Sequence, residues 1–240
     1  MCVVIRKVIP VTRFKRVCPH EDPAAELLGK YRGQIKKNDL RVKDKLRLQD
    51  LSMVVLDTET TGLRPHSGDE VISVGACRIK GGEIEQSIFH SLVNPGREIP
   101  RFIADLTGIS DEMVSGACGF CAVAADLMEF IGDSVIIGHS IDFDINFLNY
   151  KLKPYGVKIK NFLIDTVILS RALNPHIKIH TLDSILSYLG IYPEGRHTSL
   201  GDALLTAGVF LTFQKQLEEI NITTLFDLRC YIRNALLYKF

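Results

Sequence analysis

Met53-Val54-Val55-Leu56 is a short apolar run that ends abruptly in Asp57-Thr58-Glu59. Four consecutive apolar, partly β-branched residues leave no wet face, so the run reads as a central strand covered on both sides. The polar residues after it mark a strand tip that opens into a site. This feature commits the chain to a buried sheet flanked by helices. At 240 residues the chain holds one such domain with an extension, and is too short for two ordinary domains with room to spare.

The pattern around that strand fills in the class. Residues 71–79 and 84–93 read as further strands, and Gly81-Gly82 between them signals a hairpin. Ser134-Val135-Ile136-Ile137-Gly138 is a fourth strand, preceded by a helical segment that ends before Gly132. Helices are expected over 144–152, 165–173, 181–189, 200–217 and 225–237, from apolar residues recurring at helical spacing. Strands joined by tight turns, followed by alternation of strand and helix, describe an α/β fold: a mixed sheet with an antiparallel start and a parallel continuation. The expected organisation is a basic, partly helical extension over 1–50, a domain over 51–217 and a C-terminal helical tail over 218–240.

Charge separates these parts. Residues 1–50 carry thirteen Lys and Arg against six Asp and Glu, whereas residues 51–240 carry sixteen against twenty-two. Apolar residues recur near helical spacing over 24–48, so Lys30, Arg32, Lys36, Lys37, Arg41, Lys43, Lys45 and Arg47 read as the solvated face of a helix rather than as a phosphate contact. An acidic domain that handles a polyanion needs cations to reconcile the charges. The 46% hydrophobic and 24% charged content excludes disorder, collagen-like repeats and coiled coil for the bulk of the chain. No stretch approaches the roughly 20 apolar residues of a membrane helix. Six cysteines with no secretory segment before them are expected as free thiols, Cys118 and Cys121 included, in a cytoplasmic protein.

Asp57 and Glu59, two residues apart on a strand, leave the same face and can converge on one point. Paired carboxylates repel unless a cation compensates, and hard oxygen ligands suit Mg²⁺ or Mn²⁺. An isolated pair of this kind arises often by chance, so a solvated strand end accounts for it unless more acids converge. More acids follow. Asp142 and Asp144 lie where a strand runs into a helix, in His139-Ser140-Ile141-Asp142-Phe143-Asp144; His197 and Asp202 open a later helix, in Arg196-His197-Thr198-Ser199-Leu200-Gly201-Asp202.

Taken in order, Asp57-Thr58-Glu59-Thr60-Thr61-Gly62-Leu63, the segment His139 to Asp144 and the segment His197 to Asp202 closely resemble the three motifs of the DEDDh 3′-to-5′ exonucleases, the group that contains the proofreading epsilon subunit of bacterial DNA polymerase III. The resemblance covers about residues 51–217, including Leu106 to Met113. It implies a ribonuclease H-like fold, with Asp57, Glu59, Asp144 and Asp202 as ligands of two divalent cations, Mg²⁺ or Mn²⁺, and His197 as general base. Asp142 falls outside the motif. Ser140 departs from the Asn usual after the histidine, a position where serine keeps a hydrogen bond. Two cations would clamp the attacking water and the leaving 3′ oxygen, and His197 would accept the proton, yielding nucleoside 5′-monophosphates.

The resemblance also places Thr60, Gly62 and Leu63 against the terminal sugar and base, with Leu106 and Thr107 flanking the base and Phe143 stacking on it. Core packing accounts for Leu106 and Phe143 equally well. Asp165-Thr166 matches a family dipeptide of structural use. The implied substrate is nucleic acid with a free 3′ end, single-stranded DNA before RNA, in proofreading or repair, with a DNA polymerase as the implied partner and no membrane. Two alternatives stand beside it: an exoribonuclease acting on RNA ends, and a non-catalytic module that docks nucleic acid or a polymerase.

Overall fold

A computed structural model describes residues 28–31 and 43–237. Its strands are β1 (Met53–Thr60), β2 (Val71–Lys80), β3 (Glu83–Leu92), β4 (Val135–Gly138) and β5 (Leu163–Asp165). They form one five-stranded sheet in the order β3-β2-β1-β4-β5. β1–β2 and β2–β3 pair antiparallel, β1–β4 and β4–β5 parallel. The helices are α1 (Arg101–Thr107), α2 (Asp111–Ser115), α3 (Phe120–Ile131), α4 (Ile141–Leu152), α5 (Thr166–Leu173), α6 (Leu182–Leu189), α7 (Ser199–Glu219) and α8 (Leu225–Leu237). Among the described residues no helix is long and apolar enough to cross a membrane.

The apolar run of β1 is divided between two cores. Val54 and Leu56 join Val74, Ala76 and Ile136 under α3 and α4, through Leu127, Ile131, Ile145 and Leu148. Met53 and Val55 join Cys77, Val135 and Ile137 under the helices of the other face, through Leu169 of α5, Ile185 of α6, Phe210 and Phe213 of α7 and Leu228 of α8. Alternation along a strand sends neighbours to opposite faces. Each such burial is worth roughly 1.5–3 kcal/mol, so β1 is held from both sides. The site is mounted on this strand.

The described parts of the extension and tail share these cores. Leu28 is buried beneath the α3–α4 face. Leu48 N–H donates to Thr223 O at 2.8 Å, and Leu225 N–H to Leu46 O at 3.2 Å. Arg229 pairs with Asp44 at 2.6 Å. The helical pattern read over 24–48 lies mostly outside the described residues.

Three short elements escaped the sequence pattern: α1, α2 and β5. α2 spans five residues and starts on the Ser110 side chain, which accepts from Met113 N–H. β5 is three residues long. α4 begins at Ile141, ahead of the start expected at Asp144, so Asp144 lies inside its first turn. Cys77 and Cys230 are free thiols, whereas Cys118 is disulfide-bonded. The expectation of free thiols fails at Cys118 because disulfide pairing is not readable from spacing.

One close approach fixes the geometry of the site. Gly75 of β2 stands opposite Asp57 of β1. A Cβ on Gly75 would overlap the backbone of Ser199 and Leu200 in the first turn of α7. Beside it Ser73 and Ser199 share a hydrogen bond of 2.6 Å. Only a bare backbone lets α7 settle there, three residues before Asp202. Gly75→Ala is therefore expected to lower stability by about 1–3 kcal/mol in chemical denaturation and to weaken Mn²⁺ binding in the same protein. Wild-type values for both would show that the contact has room to spare.

Candidate active site

Asp57 and Glu59 share the face of Met53 and Val55, which is the α7 side of the sheet. Asp202, in the first turn of α7, completes the group: carboxylate oxygens of Asp57, Glu59 and Asp202 all lie within 4.8 Å of one another. Thr198 caps this helix, its hydroxyl accepting from Gly201 N–H at 3.1 Å and donating to Gly195 O at 2.7 Å. Asp144 arrives from the opposite face. There Thr58 donates to its Oδ1 twice, from the hydroxyl at 2.6 Å and the backbone N–H at 3.0 Å. The sheet thus brings three carboxylates together on one face and tethers the fourth to the strand between them. Asp142 is exposed, as expected.

Like charges confined together are hard to ionise. Asp57 is pushed well above the ordinary carboxylate range, first by burial, then by repulsion from Asp144, Asp202 and Glu59, against the pull of Arg196. Glu59 is raised to about 7 by burial, with Asp202 and Asp144 adding to it. Asp144 is raised to about 7 by burial, although its bonds from Thr58 favour the charged form.

Arg196 supplies the resident counter-charge, and the sequence reading passed over it. Its Nη1 pairs with Asp202 Oδ2, while Nε and Nη2 hold Asp183 of α6 at 2.6 and 3.1 Å. This two-pronged contact holds Asp183 below the usual carboxylate range. The available signal was a lone arginine amid an acidic constellation, next to His197. His197 itself sits on an exposed turn with φ +61° and makes no hydrogen bond to any of the four carboxylates. Its ring is near enough to Asp183 to act on it electrostatically.

His139 is driven down to about 4, chiefly by burial and then by Arg196. It is therefore neutral, and its Nδ1 meets the Thr166 hydroxyl at 3.0 Å. Ser140 corrects one expectation. Its side chain caps nothing; instead the residue adopts φ +63° and ψ +40°, and its N–H donates to Asp165 at 3.1 Å. Asn is among the few residues that tolerate this left-handed region, so the preference at this position is one of backbone conformation. Asp165 also caps α5 through Val167 N–H at 2.8 Å.

The residues read as substrate contacts divide in two. Leu63, Leu106 and Phe143 are exposed, at 76%, 52% and 36%. Thr60 and Thr107 are buried, with hydroxyls already donated to Gly62 O at 2.7 Å and Ile103 O at 2.9 Å. Both hydroxyls are committed as donors, so toward a substrate they are left only as acceptors. A Cβ on Gly62 would overlap the Asp69 carboxylate.

Whether these residues suit divalent cations is tested by one atom. Asp202 Oδ1 is buried without any hydrogen-bond partner, beside two further carboxylates. A buried acceptor left bare is costly, and an all-oxygen donor set matches hard cations. The residues fit.

A mixed sheet whose central strand carries two acids at its tip, met by acids from the first turns of two helices, is a ribonuclease H-like α/β fold with an acidic centre. Known proteins agree. The Exonuclease family model matches residues 54–210. The chain is 38% identical over 182 residues to the DNA polymerase III subunit epsilon of Aquifex aeolicus, covering 75% of this chain and 87% of that one. It is 38% identical over 180 residues to the DNA polymerase III PolC-type of Thermotoga maritima, covering 75% of this chain and 13% of that one. A DNA polymerase III subunit epsilon-like protein of Rhodobacter capsulatus is also 38% identical, and 26% of its length is covered. The chain thus spans a minor part of these last two relatives. In fold it is similar to Exonuclease X in complex with 5′ overhanging duplex DNA, with a TM-score of 0.56 at 22% identity, covering 68% of this chain and 91% of that one. E. coli Exonuclease I in complex with a dT13 oligonucleotide gives 0.62 at 15%, covering 72% and 43%. The chain belongs to the Exonuclease family.

The raised carboxylates have a pH consequence. Their folded pKa values exceed the unfolded ones, so the folded state holds extra protons, and stability falls as pH rises from about 4 through about 7. In chelator the melting temperature should drop over this window, less steeply in Glu59→Gln, and Mn²⁺ should remove most of the drop. Equal slopes with and without Mn²⁺ would sink this account.

Proposed function

We propose that this chain is a metal-dependent 3′-to-5′ exonuclease that hydrolyses single-stranded DNA from its 3′ end to nucleoside 5′-monophosphates, in proofreading or repair. The observation that carries the reading is the convergence of Asp57, Glu59 and Asp202 around the partnerless Oδ1 of Asp202. Asp57, Glu59 and Asp202 would hold one divalent cation, Mg²⁺ or Mn²⁺, and Asp57 with Asp144 a second. Such cations neutralise the phosphodiester and stabilise the charge that develops on attacking and leaving oxygens.

The chain's own groups do the rest. His197 takes the proton from the attacking water; it stands exposed on the turn between Arg196, which pairs with Asp202, and the start of α7. Leu63, Leu106 and Phe143 present apolar surface for the terminal nucleoside, a contact that tolerates any base. The backbone at Thr60 and Gly62 lines the approach. Relatives named as DNA polymerase III components favour DNA over RNA, a polymerase as partner and a cytoplasmic setting.

The test uses matched 5′-labelled single-stranded DNA and RNA with Mg²⁺, Mn²⁺ or chelator. A metal-dependent ladder shortening from the 3′ end of DNA is expected; faster loss of RNA moves the reading to an exoribonuclease, and no cleavage at all leaves a docking module. His197→Ala should lower kcat by roughly 10²–10⁴ with Mn²⁺ affinity nearly intact by calorimetry. A large loss of Mn²⁺ binding would contradict the general-base role. Asp57→Ala is expected to abolish both cleavage and tight Mn²⁺ binding, and retention of either removes Asp57 from the centre.

A further inference from the structure

A cavity of about 530 Å³ beside the carboxylates joins two unlike groups of residues: Asp57 and Asp202, and with them Arg171 and His180. Arg171 comes from the last turn of α5 and His180 from the segment before α6. From Thr166 to Leu182 the chain has no acidic residue, while Arg171, His176, Lys178 and His180 are all basic. Among the described residues Arg171 has no ion-pair partner, in contrast to Arg196, held by Asp183 and Asp202, and Lys151, held by Glu70. His180 is fixed behind it by a 2.8 Å bond between Nδ1 and the Ser170 hydroxyl. Nearby, Ile179 and Tyr188 expose apolar surface, and the His176 ring meets Tyr188 edge-on at 5.6 Å.

The position of this basic segment sets its use. Helix α1, which carries Leu106, packs through Ile103 against Ile72 of β2. The cavity lies toward the other edge of the sheet, lined by His139 and Ser140 after β4 and by Val167 and Arg171 of α5. Neither Leu63, Leu106 nor Phe143 lines it. A strand whose terminal nucleoside sits against Leu106 and whose scissile phosphate sits over the carboxylates continues along the cavity that joins those carboxylates to Arg171. An unpaired guanidinium waits there. We propose that Arg171, backed by His180, binds a backbone phosphate of the strand on the 5′ side of the bond being cut, making the segment 171–180 the track for single-stranded polynucleotide. The inference rests on the exonuclease reading and deepens it.

Arg171→Glu, Arg171→Ala and Arg171→Lys would be compared with Lys80→Glu, an equal charge reversal at the β2–β3 hairpin. Binding of a fluorescent twelve-nucleotide DNA would be measured with Ca²⁺, without turnover, across a salt series. With Mn²⁺, kcat/KM would be taken for the oligonucleotide and for the p-nitrophenyl ester of thymidine 5′-monophosphate. Arg171→Glu should weaken oligonucleotide binding about tenfold and flatten the salt slope by roughly 0.7, with Arg171→Ala in the same direction and Arg171→Lys near wild type. The ratio of kcat/KM for oligonucleotide over ester should fall about tenfold. Unchanged affinity and slope, a loss matched by Lys80→Glu, or an equal fall on the ester overturns the proposal. So does a parallel weakening of inhibition by thymidine 5′-monophosphate, which would put Arg171 on the product phosphate. A wild-type chain that cleaves neither substrate overturns the exonuclease reading alone, and the Ca²⁺ binding comparison then decides Arg171 by itself.

Discussion

Three carboxylates held within 4.8 Å of one another, with a fourth behind them, are the constraint on which the rest of this structure depends. Left to themselves they would separate or take up protons, since repulsion between buried like charges grows steeply as water is excluded. The fold prevents separation. β1 is packed between two cores, Asp144 is tied to Thr58, and α7 is seated on Gly75. Stability contributed far from the centre therefore holds it in a state of high electrostatic tension. Arg196 relieves that tension only in part, because it answers Asp202 while also bound to Asp183, and it leaves Asp202 Oδ1 bare.

The two-sided burial of β1 explains the division of the four acids. Successive residues of a strand face opposite ways, so Asp57 and Glu59 look toward α7 and Thr58 between them looks toward α4. Asp202 meets the first pair directly. Asp144 meets Thr58, and through that strand residue is held beside Asp57 rather than in the same cluster. The centre thus has one close trio, a dense oxygen donor set of the kind hard cations take, and one acid tethered apart from it.

Legibility in the sequence followed the same physics. The apolar run, the hairpin glycines and the long helix were readable because many residues repeat one period, and the sheet they imply is the observed one without its edge strand β5. The carboxylates were readable through the order of their motifs. Elements of three to seven residues, such as β5, α2 and α1, carry too few periods to announce themselves. Arg196 was missed because its role depends on Asp183, thirteen residues away on another helix. Ser140 was misread because a side-chain explanation was sought for a backbone requirement. Thr60 and Thr107 carry hydroxyls that the sequence cannot tell are already engaged.

Charge asymmetry within the domain is the last link between fold and use. Asp57 and Glu59 stand at the end of β1 and Asp165 at the end of β5, yet α5 and the segment after it have no acid over residues 166–182. On the proposed reading, a polyanion approaching the carboxylates from that side would meet basic groups first and the acidic centre last, where bound cations would invert the field. Arg196 stands at the boundary between the two regions, its guanidinium occupied by the acids of one and lining the cavity of the other. Attraction at long range and repulsion at the centre are thereby separated in space along one edge of the sheet. On the proposed reading, this edge gives nucleic acid a route to an acidic domain.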